Sequence, residues 1–199
     1  MVAIIILSYL LGSILFGPIV ASARGVDLRS VSSGNVGATN TFRALGWKYG
    51  SLVLVLDAAK GAIPVLIALY FGLRSWEAVA VGMAAVIGHL RPIFSGFKGG
   101  KGVAVAVGVF LALNTISMLL TLGIFVVVVG ATKYVSFGSI LGAETIFLLQ
   151  VLKDTPWADD NLPITVLSLA LLLIVIYSHK DNISRLWREQ ENRIIFRRP

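Results

Sequence analysis

Cysteine is absent from the 199 residues of this chain, and charged residues are scarce at 14%. The lack of cysteine excludes a structural disulfide, a thiolate zinc site and a cysteine nucleophile. A soluble domain contains about a quarter charged residues, whereas this chain is 57% hydrophobic with a mean hydropathy of +0.88. The composition therefore excludes a soluble enzyme and a disordered chain, and it predicts a single integral membrane domain over residues 1–199.

Several catalytic devices are also missing from the sequence. Neither histidine begins an H-x-x-x-x-D pattern, because Phe94 and Ser184 stand at the acidic position. No group of acidic residues has the spacing of a magnesium or two-metal site, and no Gly-x-Ser-x-Gly motif occurs. The sequence therefore predicts neither a metal nor a cofactor, and it argues against a histidine–aspartate acyltransferase mechanism.

Long apolar segments make up most of the chain. A helix needs about 20 such residues to cross a hydrocarbon core roughly 30 Å thick. The uncharged stretch 102–132 would measure about 45 Å as one helix, so we predict a break at Asn114. The first segment is expected to remain as a span. A signal peptide carries Lys or Arg before its apolar run, and this segment has neither there. The predicted spans are 2–23, 47–72, 76–88, 102–113, 115–132, 139–152 and 162–177.

The distribution of basic residues supports the break at Asn114. With seven spans, 14 of the 17 Lys and Arg residues lie on one side, whereas six spans place eight on each side. The positive-inside rule therefore predicts an all-α membrane protein with seven transmembrane helices, its N-terminus outside and its C-terminus cytoplasmic. Such a basic surface favours anionic lipid or phosphorylated substrates over nucleic acid as partners.

Charged residues also occur inside the predicted spans. Asp57 and Lys60 lie three residues apart on one helical face. Charges at membrane depth mark either a functional site or a neutralising pair, and both interpretations stay open for these two residues. Glu144 in the sixth span raises the same question, with Lys133 as a candidate partner.

Three polar motifs fall on the predicted cytoplasmic side. In the first motif, small residues leave consecutive backbone N–H groups exposed, and glycine permits positive φ at Gly34 and Gly37. Such a concave set of amides suits a phosphate, and a helix that begins near Thr39 would add its N-terminal dipole. An ordinary capped turn is the alternative. The first motif is Ser33-Gly34-Asn35-Val36-Gly37-Ala38-Thr39-Asn40, followed by Arg43.

The second motif covers residues 88–102 and the third covers residues 178–185. The second combines His89 with three cations and ends in Gly99-Gly100-Lys101-Gly102, a run that allows a backbone to approach a ligand closely. It is not a Walker A loop, because Gly102 replaces the required Ser or Thr. In the third motif, His179 and Asn182 would share one helical face.

Together these motifs closely resemble those of the bacterial membrane acyl-phosphate:glycerol-3-phosphate acyltransferases, the PlsY type. The resemblance covers nearly the whole chain, and Glu189 stands where the family often has glycine. The first motif matches over Ser33–Asn40 and Arg43. The second matches at His89, Pro92, Phe94, Phe97, Lys98, Gly99, Gly100, Lys101 and Gly102, and the third at His179, Asn182, Ile183, Arg185, Leu186 and Glu191.

The resemblance implies an enzyme of phospholipid biosynthesis in the cell (inner) membrane, with its active site facing the cytoplasm. Such an enzyme transfers a fatty acyl group from acyl phosphate to the 1-hydroxyl of glycerol 3-phosphate, and it releases lysophosphatidic acid and inorganic phosphate. The donor is an activated mixed anhydride, so positioning and charge stabilisation can supply most of the rate. No protein partner is implied.

Site residues follow from the resemblance. Gly37, Ala38, Thr39 and Asn40 would bind acyl phosphate. The glycerol 3-phosphate site would comprise Ser33, Arg43, Lys101, His179 and Asn182, with Lys101 able to bridge both phosphates. Catalysis would involve His179, Asn182, Lys101 and Ser139, and the general base would be either His179 or a phosphate oxygen of the donor.

A transporter or flippase for phosphate-bearing solutes is the alternative function. It would bind its cargo through the same cations and use Asp57 and Lys60 for ion coupling. Transporter sites lie near the bilayer midplane between repeats, whereas these motifs lie on one side and the sequence shows no repeat. The enzyme is therefore the favoured prediction.

Overall fold

The computed structural model describes residues 1–153 and 161–194, and within those ranges all regular secondary structure is helical. This confirms the prediction of an all-α fold. A single 3₁₀ turn, Ile93–Ser95, accompanies the α-helices. These are α1 (Val2–Gly12), α2 (Phe16–Ser22), α3 (Ala38–Leu45), α4 (Trp47–Tyr70), α5 (Trp76–Leu90), α6 (Val103–Leu113), α7 (Thr115–Thr132), α8 (Val135–Lys153), α9 (Leu162–Ser178) and α10 (Lys180–Trp187).

The first predicted span is broken between α1 and α2. Proline has no N–H and its ring clashes with the carbonyl four residues earlier in a helix, so Pro18 disfavours a regular helix through Ile14. The chain breaks here, whereas α4 accommodates Pro64 within its length. Leu15 is accordingly extended, with φ −92° and ψ 97°. The break frees the carbonyl of Ile14, which accepts a hydrogen bond from the Lys60 ammonium.

The described residues form two compact units, Met1–Ala112 and Leu113–Ile194. In the first unit, α1 packs against α5, and α4 packs against α1, α3 and α5. Glycine makes the close packing possible, since a Cβ on Gly12 would lie 2.2 Å from the Ala85 carbonyl oxygen and one on Gly88 would lie 2.3 Å from that of Tyr9. Small residues at helix contacts are typical of membrane proteins, where van der Waals packing drives association.

In the second unit, α8 packs against both α7 and α9. Asn114 caps α7 by accepting from the N–H of Ser117 at 3.3 Å, which confirms the predicted break at this residue. Its Nδ2 donates to Oε1 of the fully buried Gln150 at 3.0 Å, and Nδ2 of Asn161 donates to the same oxygen at 3.1 Å. These amides tie α7, α8 and the start of α9 together.

Within the described ranges, five helical segments are long and apolar enough to cross a membrane. A sixth is counted if α9 and α10, which are bent by 59° at His179, form one span. Helix α6 is apolar but only 11 residues long. The chain is thus a multi-pass helical membrane protein, whereas the exact number of seven spans and the single domain stay predictions.

Candidate functional site

Asn40 organises the first motif. Its side chain is 1% exposed, and its Nδ2 donates to the carbonyl oxygens of Leu28 at 2.8 Å, Val31 at 3.2 Å and Asn35 at 2.8 Å. Its Oδ1 accepts from the backbone N–H of Ser33 at 3.3 Å. One buried amide thus satisfies several backbone groups of the loop. This role was not foreseen from the sequence, and the contact of Asn40 with acyl phosphate stays a prediction.

Helix α3 begins at Ala38, within one residue of the predicted start. The first N–H groups of a helix have no intrahelical acceptor, and among the described residues no side chain caps this end. The N–H groups of Ala38 and Thr39 therefore lie at the positive end of the helix dipole, where a phosphate is stabilised. The binding of acyl phosphate here stays a prediction.

Gly37 differs from the sequence-based expectation. Its φ is −92°, so only Gly34, at +68°, adopts the left-handed conformation. A Cβ on Gly37 would meet nothing closer than Oδ1 of Asn35 at 3.8 Å. The fold therefore does not require glycine at this position, and the side that a Cβ would occupy is open to a ligand.

Gly37→Ala consequently separates folding from binding. Alanine is a poorer N-cap than glycine, so we expect a stability loss of about 0.5–1 kcal/mol. A methyl group between the amides and a phosphate should lower activity by about 10-fold or more, because a small misplacement of substrate is costly. The measurement is thermal unfolding in detergent beside the KM for acyl phosphate. Wild-type kinetics would contradict close approach of a ligand at Gly37.

Gly99 and Gly100 of the second motif lie against protein. A Cβ on Gly99 would lie 2.0 Å from the carbonyl oxygen of His89, and one on Gly100 would lie 2.4 Å from His89 Nε2. The N–H of Gly100 donates to that same carbonyl at 3.1 Å. The expectation that this run approaches a ligand is therefore corrected for Gly99 and Gly100, whose missing side chains make room for His89. We call residues 99–102 the glycine segment.

The predicted phosphate-binding side chains of the first unit differ in exposure. Ser33 is exposed in the loop before α3, and Arg43 is half-buried in the last turn of α3. Lys101 is half-buried in the glycine segment, directly before α6. Their binding roles stay predictions.

His179 lies at the bend between α9 and α10 and is 3% exposed. Its Nδ1 lies 2.8 Å from the carbonyl oxygen of Val175, which can only accept a hydrogen bond. Nδ1 therefore carries the proton, and in a neutral ring Nε2 is the acceptor nitrogen. This tautomer suits a group that accepts a proton or orients a hydroxyl.

Glu191 holds the third motif in place. It is 7% exposed, and its Oε1 accepts from Asn182 Nδ2 at 2.7 Å and from Ser136 Oγ at 2.9 Å. Its Oε2 pairs with Arg185 Nε at 2.8 Å. Asn182 was expected in the site and Arg185 was noted only as part of the third motif, whereas the roles of Glu191 and Ser136 were missed. The only sequence signal was the match of Glu191 to the family's third motif.

The pKa of Glu191 reflects these contacts. Burial alone raises the pKa of a carboxyl group, but hydrogen bonds from Asn182, Arg185 and Ser136 favour the charged form. Together with the Arg185 charge they hold the pKa of Glu191 below its ordinary value. Glu191 is therefore an ionised anchor at neutral pH.

Ser139, the remaining predicted catalytic residue, lies in the first turns of α8 and is 7% exposed. Its Oγ donates to the carbonyl oxygen of Val135 at 2.9 Å. The hydroxyl hydrogen is thereby used within the helix, and its oxygen remains able to accept. A catalytic role for Ser139 stays a prediction.

Glu189 occupies a position with φ +56°. Left-handed backbone is strained for residues other than glycine, which explains the glycine that the family often has here. Its strain lies two residues before Glu191, where the chain turns back from α10.

Within residues 1–153 and 161–194, no group of three or more His, Asp or Glu residues lies close enough to hold a metal ion. These residues include backbone amides and cations of the kind that bind phosphate, and His179 and Asn182 lie at and just after the bend between α9 and α10.

Comparison with known proteins places these residues in context. A family model described as glycerol-3-phosphate acyltransferase matches residues 2–189. A glycerol-3-phosphate acyltransferase of Aquifex aeolicus (strain VF5) is 47% identical over 197 residues, covering 96% of this chain and 97% of the relative. Another, from Geobacter sulfurreducens, is 44% identical over 187 residues and covers 94% and 93%.

Solved structures resemble the chain over nearly its full length. A crystal structure of PlsY (YgiH), an integral membrane glycerol 3-phosphate acyltransferase, in its glycerol 3-phosphate form has a TM-score of 0.90 at 43% identity. It covers 98% of this chain and 95% of the other. The lysophosphatidic acid form has a TM-score of 0.88 at 41% identity, with the same coverage.

Proposed function

Since this chain belongs to the glycerol-3-phosphate acyltransferase family, we propose that it uses acyl phosphate as the donor. The enzyme acylates glycerol 3-phosphate and forms lysophosphatidic acid. The observation that carries the proposed donor is the start of α3, where no side chain of the described residues caps the first N–H groups and the space beside Gly37 is open. Amides at a helix N-terminus bind phosphate groups, and acyl phosphate offers one next to its reactive carbonyl.

Acyl phosphate would be held by Gly37, Ala38, Thr39 and Asn40. In this proposal the N–H groups of Ala38 and Thr39 bind the phosphate, and Asn40 contributes chiefly by holding the loop through its bonds to Leu28 and Asn35. Because these donors are fixed before substrate arrives, they need no reorganisation as charge develops.

Glycerol 3-phosphate would be bound by Ser33, Arg43 and Lys101, and its hydroxyl would be oriented by His179 and Asn182, with Ser139 as a further acceptor. The guanidinium of Arg43 offers a bidentate fork, and Lys101 offers a compact charge that can serve both phosphates. Glu191 supports this arrangement by fixing Asn182.

In the reaction, the 1-hydroxyl oxygen of glycerol 3-phosphate attacks the acyl carbonyl carbon. The new ester bond forms as the bond to the phosphate oxygen breaks, and inorganic phosphate leaves with the bonding electron pair. The hydroxyl proton passes either to His179 or to a phosphate oxygen of the donor. Cations and helix amides stabilise the charge that gathers on the departing phosphate.

The proposed membrane arrangement has seven spans in the cell (inner) membrane, with the three motifs and the C-terminus in the cytoplasm. It is supported by the 14 of 17 basic residues that fall on that side. Helix α6 covers only about 16 Å, so its span needs a locally thin bilayer or help from its flanking residues.

Donor choice tests the proposed function. Purified protein given long-chain acyl phosphate and glycerol 3-phosphate should form lysophosphatidic acid without added metal, and EDTA should leave the rate unchanged. Acyl-CoA should be a poor donor, because it does not present a phosphate at the reacting carbonyl. Inorganic phosphate should inhibit by competition with acyl phosphate. Robust turnover with acyl-CoA, or a strict metal requirement, would contradict the proposal, and uptake of a phosphate ester without ester product would indicate a transporter.

Topology is tested by single cysteines, which the natural sequence lacks. Lys98→Cys should react with a membrane-impermeant thiol reagent only after the cells are opened. Arg74→Cys and Asp159→Cys should react in intact cells, although Asp159 lies outside the described residues. Labelling of position 98 from outside would overturn the seven-span orientation.

A further inference from the structure

A buried charged network in the first unit is left unused by the proposed mechanism. Lys60, Asp57 and His89 are only 2%, 2% and 3% exposed. Lys60 Nζ lies 2.8 Å from Asp57 Oδ1 and 2.9 Å from His89 Nδ1. This confirms the ion pair suggested by the spacing in the sequence. The inclusion of His89 goes beyond what neutralisation of Asp57 requires.

Lys60 has three partners in this network. It forms the ion pair with Asp57 and hydrogen-bonds to His89 Nδ1. It also donates to the carbonyl oxygen of Ile14, which the Pro18 break leaves without a helical partner. An ammonium has no acceptor, so Nδ1 of His89 must accept, and the proton of the neutral ring lies on Nε2. Lys60 therefore fixes both the orientation and the tautomer of His89.

The glycine segment lies on the far side of that ring. Gly100 is so close that a Cβ would lie 2.4 Å from Nε2, and its N–H donates to the backbone of His89 at 3.1 Å. Lys101 follows directly. The path from Asp57 through Lys60 and His89 to Gly100 is therefore a continuous series of contacts.

We propose that Asp57, Lys60 and His89 are positioning residues, which hold the glycine segment through the His89 ring and thereby orient Lys101. They do not contact substrate. The inference rests on the proposed phosphate-binding function of Lys101. It explains why a network with three polar side chains is retained among apolar helices, where such groups are costly.

Removal of the ion pair tests the proposal. Lys60→Met leaves Asp57 buried and unpaired, which can prevent folding. The double variant Asp57→Leu/Lys60→Met replaces the pair by apolar residues of similar size, a change that is often neutral for stability. We expect this variant to unfold near the wild-type temperature, yet to lose turnover by about 100-fold because Lys101 is misplaced.

Amide hydrogen exchange of residues 99–102 gives a readout that a merely structural role would not move. Exchange should rise at these residues in Asp57→Leu/Lys60→Met, while the helices stay protected. Ser8→Ala is the control, since it removes a buried hydrogen bond to the Val81 carbonyl in the same unit at 2.7 Å. It should alter neither turnover nor exchange at 99–102. Wild-type kinetics and unchanged exchange in the double variant would overturn the proposal.

The contact with the ring is tested by a mutant cycle. Gly100→Ala should lower turnover strongly when His89 is present, whereas in a His89→Ala background the methyl group has room and should cost little more. Additive effects would show that the two residues are uncoupled, contrary to the proposal.

Amide hydrogen exchange at residues 99–102 also separates the positioning of the glycine segment from the proposed phosphate-binding role of Lys101. If Lys101→Ala stays active while the double variant loosens this segment, the phosphate role of Lys101 is wrong and positioning of the segment stands.

Discussion

Lys101→Ala is expected to lower the formation of lysophosphatidic acid by about 10³-fold, because a positioned charge that stabilises developing negative charge contributes on this scale. Lys101 is half-buried in the glycine segment, which directly precedes α6. The loss should appear in turnover at saturating substrate as well as in the KM for both phosphates. Steady-state kinetics in detergent, beside thermal unfolding, is the measurement.

Lys101→Met separates charge from packing, because methionine keeps the aliphatic stem. It should be as inactive as the alanine variant and fold as well as the wild type. The matched control is Arg91→Met, which removes an exposed cation from the same motif. It should retain activity within about 2-fold, since exposed charges contribute weakly in solvent. If Lys101→Met turns over like the wild type, Lys101 is a membrane anchor and the phosphate role is wrong.

Glu191→Leu is expected to destabilise the second unit by about 1–3 kcal/mol, the usual cost of leaving buried hydrogen-bonding groups without their partner. The substitution leaves Asn182, Ser136 and Arg185 without the carboxylate that they share. Activity should fall with stability, because Asn182 loses its anchor. Thermal unfolding in detergent measures the loss, and an unchanged Tm would contradict the role of Glu191 as the anchor.

Glu189→Gly is the matched control, since it removes a neighbouring acidic side chain at an exposed, left-handed position. Relief of about 1 kcal/mol of backbone strain should offset the greater conformational entropy that glycine gives the unfolded chain. The Tm should therefore not fall.

The lowered pKa of Glu191 adds a test by pH. Its stabilising contribution is complete above the ordinary value near 4.5 and is lost as pH falls below it. Glu191→Leu should lack this part of the acid dependence.

Local features of the fold were predictable from the sequence. The all-helical fold, the break at Asn114 and the start of α3 follow from apolar length, charge and small polar residues, and the structure has all three. The interruption at Pro18 was not predicted, although proline supplies the physical reason. Continuous hydropathy across residues 2–23 concealed it, because hydropathy reports transfer to lipid and not helix continuity.

Contacts between residues far apart in sequence were not predictable. His89 meets Lys60 across 29 positions, and Glu191 meets Ser136 across 55. Periodicity reports which face of a helix a residue occupies but not which residue of another helix lies opposite. The structural role of Asn40 was missed for a related reason, since an asparagine in a polar loop can serve a ligand or the loop itself. Here its amide is turned inward to three carbonyl groups.

The spacing of the buried ion pair also has a consequence for biogenesis. Asp57 and Lys60 lie on the same helix, three residues apart, so they can neutralise each other while α4 is still leaving the translocon. Two separate charges would each cost about 2.5–3.5 kcal/mol at the centre of an inserting helix. Ile14 has by then been synthesised, whereas His89 arrives later with α5. The order of synthesis thus lets Lys60 enter the bilayer already paired with Asp57. Helix α5 then brings His89, which completes the hydrogen bonds of Lys60.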